Sequence, residues 1–188
     1  MGNMDVFVAV KSRRSVRSYL PDPVPKEKLD RILESARLSP SAMNRQPWHF
    51  VVVTDSAKRK ALSGGHFAHF LEEAPVVIVG CGDKDASPKW YAVDTAIAMQ
   101  TMVLVATDEG LGTCWIGSFN EGDVKALLGI PPSYAVVALL AIGYPHDKPS
   151  LTGTVRSMLL RRRGMESIAS YEIFGNGYKS DAPQIGEA

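Results

Sequence analysis

The sequence predicts an α+β fold in which a central sheet is flanked by helices. Three observations predict it. Four short apolar and β-branched runs are bounded by turn residues, helix-spaced segments separate them, and residues 95–107 carry no charge at all. With 188 residues, 45% of them hydrophobic, the chain suffices for one domain with a real core and is short for two.

Residues 5–11 read as a short amphipathic helix, followed by a basic cluster and the proline-punctuated link Pro21, Pro23, Pro25, which cannot stay helical. Leu29, Ile32, Leu33 and Ala36 recur at one-face helical spacing, from Pro25 or just after it to the stop at Ser39-Pro40. Residues 49–54, with Phe50, Val51, Val52 and Val53, predict a buried strand, and 76–79 a second. Between them, residues 56–63 and 67–73 predict two helices divided by Gly64-Gly65. Residues 90–109 form the longest helical candidate, apolar on nearly every face and closed by Gly110, a pattern that belongs in the middle of a domain. Residues 114–116 predict a short strand, Asn120 caps a helix running to Leu128, and 135–142 predict the last strand. Residues 1–150 make up the expected domain, with 151–188 as an extension. The apolar Met158, Leu159, Leu160, Ile168, Ile173 and Phe174 of that tail need burial, which an arm across a partner subunit supplies.

Charge and cysteine usage exclude several functions. Twenty-one Lys and Arg against 20 Asp and Glu give a net charge of +1, with no global field to gather nucleic acid or acidic membrane. Any anion site must be local. Residues 95–107 fall short of a bilayer span, which needs about 20 apolar residues, and residues 1–5 lack the layout of a signal peptide. Cys81 and Cys114 have no disulfide or zinc-ligand spacing and read as buried thiols of a cytoplasmic protein.

Three segments carry candidate chemistry. In Arg13-Arg14-Ser15-Val16-Arg17, guanidinium groups and a hydroxyl can surround a phosphate; a solvated basic loop is the plain alternative. In Ser39-Pro40-Ser41-Ala42-Met43-Asn44-Arg45-Gln46-Pro47-Trp48, small residues permit close approach to a planar ring, and Asn44 and Gln46 can match a pyrimidine-like edge. An ordinary helix-to-strand connection fits as well. The glycines of Gly110-Leu111-Gly112-Thr113-Cys114-Trp115-Ile116-Gly117 permit main-chain approach to a ligand or simply a tight turn.

In this order, and with residues 73–79 and Ile142-Gly143-Tyr144-Pro145, these motifs resemble the nitroreductase family of FMN flavoproteins from about Val8 to Pro145. The resemblance implies a mostly antiparallel sheet and a homodimer with two FMN sites, each built from both chains. It implies that Arg13, Ser15 and Arg17, with Arg14 beside them, meet the phosphate and ribityl chain, and that Arg17 approaches the flavin N1 and O2 edge. Pro40, Ser41 and Asn44 are implied to meet the isoalloxazine from the other subunit, and Ile116 and Gly117 to lie near N5. Gln46 belongs to the same motif and can equally hold the loop. His66 and His69 stand where relatives place polar groups facing the flavin, His69 being the better candidate; an exposed or core role is the alternative. A metal pair is rejected because no third ligand is evident. Arg162 and Arg163 fall where the family closes its phosphate site, although residues 151–160 depart from its usual pattern there, and a solvated patch is the alternative. The implied activity is hydride transfer from NADH or NADPH to a nitroaromatic, quinone or related small-molecule acceptor, by a ping-pong route with no side-chain nucleophile. Reductive dehalogenation, enone reduction and non-enzymatic flavin binding are the rivals on the same scaffold. The short segment 82–89 predicts an open pocket.

Overall fold

Alternation of side chains along β-branched runs gives each strand two faces, and here both faces are covered. The computed structural model describes residues 4–64, 68–146 and 162–178. His66 and the tail residues Met158, Leu159 and Leu160 lie outside them. In chain order the elements are α1 (Val6–Ser12), α2 (Lys26–Arg37), β1 (Trp48–Val53), α3 (Ser56–Leu62), β2 (Val76–Asp83), α4 (Tyr91–Asp108), β3 (Gly112–Ile116), α5 (Glu121–Leu128) and β4 (Tyr134–Gly143). The sheet has the order β1-β2-β4-β3, every neighbour antiparallel.

On one face Val76, Ile78, Leu140 and Ile142 pack against Ile32 and Ala36 of α2 and Ala98, Met99, Met102 and Val103 of α4. On the other, Val77, Val79, Leu139 and Ala141 pack with Leu62, Val124, Val16 and Tyr19. At about 25 cal/mol per Å² of apolar surface, these two layers supply the main driving force for folding. Local chemistry fixes the ends. The Asp5 carboxylate accepts from Phe7 and Val8 N–H, Asp55 from Lys58 N–H, and Asn120 from Gly122 and Asp123 N–H. Lys28 and Arg31 of α2 pair with the largely buried Glu109 after α4, locking the two helices at one end.

Four expectations need correction. β1 is only half-buried, because it is an edge strand. Residues 67–73 yield a single 3-10 turn, His69–Leu71, in place of a helix. α1 buries only Ala9 and leaves Val6, Phe7, Val8 and Val10 exposed, so most of its apolar side is left uncovered by the described residues. α4 is not encased: it buries Asp94, Thr95, Ala98, Met99, Met102, Val103 and Ala106 but leaves Val93 and Ile97 exposed by 48% and 39%. Its apolar character all round reflects two different surfaces. Among the described residues no helix is long and apolar enough to cross a membrane.

The chain divides into two compact units, Met1–Lys148 and Pro149–Ala188. In the second, residues 162–178 hold a 3-10 turn, Met165–Ser167, and a bridge between Ser170 and Gly177. Tyr171 and Tyr178 stack there with ring centroids 5.2 Å apart.

Candidate functional site

After α1 the chain runs extended beside β3. The Val16 N–H donates to the Thr113 carbonyl at 2.9 Å, and Ser15 bridges Thr113 in parallel register. The period of two then turns Val16 into the core and leaves Ser15 and Arg17 exposed on the opposite side. The Tyr19 hydroxyl donates to the Val16 carbonyl at 2.7 Å, closing the segment from the inside. Burial pushes the Tyr19 phenol well up, with nearby Cys114 adding to the shift and Arg17 opposing it. Burial likewise raises the Cys114 thiol, against the pull of Arg17, Ser15 and Arg13. Among the described residues no carboxylate pairs with Arg13, Arg14 or Arg17. Three guanidinium groups within five positions therefore carry no carboxylate counter-charge among the described residues, which is the electrostatic requirement of an anion site.

The second motif is a strained loop. Met43, Asn44 and Gln46 have φ of 53°, 55° and 48°, a left-handed conformation that costs of order 1 kcal/mol or more at a non-glycine. Its internal bonds answer one ambiguity. The Ser41 hydroxyl oxygen accepts from Gln46 N–H at 2.9 Å, and the Gln46 side-chain amide donates to the Asn44 side-chain oxygen at 3.2 Å. Gln46 thus holds the loop, and Asn44 keeps its amide nitrogen as the donor it can offer outward. Pro40 and Met43 are exposed, Met43 by 83%.

One chain does not bring these motifs together. The loop feeds β1, with the Pro47 carbonyl accepting from Asp83 N–H at the end of β2, whereas the basic segment lies along the free edge of β3. Three strand spacings separate β1 from β3 and the basic segment lies one spacing further out, about 19 Å from β1 in all.

The glycine-rich segment divides by position. Gly110 takes φ 75° behind the end of α4. Gly112 is a packing glycine, since a Cβ there would lie 2.5 Å from Val16 Cγ2. Gly117, like Gly110, has nothing within 4 Å of an added Cβ. It opens on a cavity of about 550 Å³ lined also by Leu62, Gly64, Ser118, Phe119, Asn120 and Asp123. Ile116, before it, is buried in the core. His69 is exposed at the start of its 3-10 turn and does not line that cavity. In the second unit Arg162 is exposed, and Arg163 donates to the Ser167 carbonyl at 2.7 Å and to its hydroxyl at 3.3 Å, bracing its own turn.

Sequence reasoning missed Asp94. It is 3% exposed in the first turn of α4, and both carboxylate oxygens lie near the Ala42 N–H, at 3.3 and 3.2 Å. The available signal was a lone acid just before the uncharged run 95–107.

Comparison with known proteins shows the family of the chain. The model of the family described as "Nitroreductase family" matches residues 10–64 and 63–144. The chain is 33% identical over 183 residues to an NADH dehydrogenase of Thermus thermophilus, spanning 77% of this chain and 89% of that protein. It is 31% identical over 169 residues to an FMN reductase [NAD(P)H] of Bacillus subtilis, spanning 77% and 67%. The solved structure of an FMN-dependent nitroreductase from Clostridium difficile R20291 superposes with a TM-score of 0.69 at 36% identity, covering 74% of this chain and 87% of that one.

Proposed function

The chain belongs to the nitroreductase family, and from that premise we propose that it is an FMN-dependent oxidoreductase that takes hydride from NADH or NADPH and passes it to a nitroaromatic, quinone or related acceptor. The observation that carries this reading is the outward row of Arg13, Ser15 and Arg17, unopposed by any carboxylate among the described residues.

The residues present fit the cofactor. A phosphate needs several charge-assisted donors, and Arg13, Arg14 and Ser15 offer guanidinium and hydroxyl groups. A planar ring needs main chain it can approach, and Gly117 leaves that space open. Bound FMN supplies the hydride acceptance and delivery that no side chain of this protein can perform. Arg17 would supply a cation near the pyrimidine edge, where it would stabilise negative charge. Ile116 and Gly117 would lie against the ring, and the cavity at Gly117 would admit reductant and acceptor in turn, which gives ping-pong kinetics.

The protein acts as a homodimer whose flavin sites are each shared. The separation of the basic segment from Pro40, Ser41, Asn44 and Gln46 supports this, since a second copy can bring its loop where the first chain cannot. The exposed Val6, Phe7, Val10, Val93 and Ile97 supply an apolar surface for that contact, and the exposed Ile168, Ile173 and Phe174 suit a C-terminal extension that packs on the partner.

An absorbance spectrum tests the reading. Purified protein supplied with FMN should be yellow and bleach on adding NADH or NADPH. Protein that takes up no FMN overturns the cofactor assignment, and a yellow protein that neither reductant bleaches leaves a flavin-binding role without the reductase.

A further inference from the structure

We propose that Asp94 is a positioning residue for the flavin site, acting through the loop that follows α2; the inference rests on the FMN reading above. Burying a carboxylate is costly unless it is hydrogen-bonded, and Asp94 is 3% exposed. Its donor among the described residues is the Ala42 backbone N–H, 52 positions away in sequence, which lies at 3.3 and 3.2 Å from the two oxygens. The carboxylate sits in the first turn of α4, which has no side-chain cap of its own, so the helix end favours a negative charge there. Asp94 therefore ties the loop to the rigid helix that forms one layer of the core.

The tie falls at the residue that decides the path of the loop. Ala42 is the first residue of the 3-10 turn Ala42–Asn44, entered from Ser41 in extended conformation, and the left-handed residues Met43, Asn44 and Gln46 follow at once. A segment holding three such residues keeps its shape only when its surroundings over-determine it. The Ser41 hydroxyl and the Gln46 amide close the loop upon itself. These internal bonds set its shape, and Asp94 sets its place. Without Asp94 the loop retains its turn but loses the anchor that directs Ser41 and Asn44 toward the flavin of the partner.

The test measures FMN dissociation constants of the dimer by flavin fluorescence. Ala42→Pro removes the same N–H from the other side, at the first position of a turn where proline is well accommodated. Asp94→Ala and Ala42→Pro should each weaken FMN about tenfold, and the double variant no further, because both break one bond. Asp94→Asn, which keeps an acceptor oxygen in the same place, should recover most of the affinity, and it remains informative if Asp94→Ala does not fold. Near-wild-type FMN affinity in either single variant, multiplied losses in the double, or an Asp94→Asn as weak as Asp94→Ala would overturn the proposal. Wild-type protein that binds no FMN would overturn the cofactor reading instead.

Discussion

Val16 and Thr113 are joined by one backbone hydrogen bond of 2.9 Å, and that bond lays the arginine segment along the free edge of β3. It forms only because Gly112 leaves room for the Val16 side chain, whose Cγ2 would otherwise lie 2.5 Å from a Cβ. Gly112→Ala should destabilise the fold by about 1–3 kcal/mol, the usual cost of overpacking a core. It should also lower FMN occupancy by displacing Ser15 and Arg17. Val16→Ala in the same chain should restore much of both, read by urea unfolding and by flavin content; an unaffected single variant would show that the segment is held by other contacts.

Removing the cations themselves separates binding from folding. Arg13→Ala with Arg17→Ala touches no ion pair among the described residues, so the melting temperature of the apoprotein should change little. Hydrogen bonds to charged groups contribute about 1.5–3 kcal/mol each, which puts the loss of FMN affinity at roughly a hundredfold to ten-thousandfold. Full flavin occupancy in the folded double variant would remove the phosphate assignment.

Local chemistry was the legible part of this fold. Asn120 before an acidic first turn gave α5 to the residue, and short apolar runs, most of them rich in β-branched residues, gave the four strands, because caps and alternation act within a few positions. What periodicity could not reveal was the partner of each face. α4 read as fully enclosed because Val93 and Ile97 are as apolar as Met99 and Met102, yet only the latter two meet this chain's own core. The candidate site divided in the same way. Its residue types were visible, but the role of Gly112 as a packing glycine against Val16 and the hold of Asp94 on Ala42 depend on contacts between distant segments.

A pH dependence follows from the buried thiols. Burial pushes Cys81 up to about 11, Lys125 opposing and Glu121 adding to the shift. An unfolded thiol titrates at about 8.5, so the folded state favours the neutral form. That contribution is fully present below about pH 8.5, falls as the unfolded chain releases its proton, and is gone once pH passes the folded value near 11. Over this window wild type should lose of order 2 kcal/mol more stability than Cys81→Ala, measured by urea unfolding at a series of pH values. Tyr19 and Cys114, both raised by burial, act in the same direction in both proteins, so the comparison isolates Cys81. Parallel slopes for the two proteins would place the alkaline loss elsewhere.

The shared site makes the sharpest prediction, because two inactive proteins should restore each other. Arg13→Ala with Arg17→Ala disables the phosphate side of every site in a homodimer. Asn44→Asp keeps a residue that tolerates the left-handed conformation while turning its outward donor into an acceptor, and disables the loop side. In a heterodimer of the two, one site carries all the defects and the other carries none. Random pairing of equal amounts gives half heterodimers, each with one intact site of two, so the mixture should recover about a quarter of wild-type NADH- or NADPH-dependent reduction. Recovery should require subunit exchange, by partial unfolding and refolding together or by co-expression. If each site were built from a single chain, every site in the mixture would keep one defect and activity would stay at the level of the parents. The roughly 19 Å between β1 and the basic segment beyond β3 favours the first outcome.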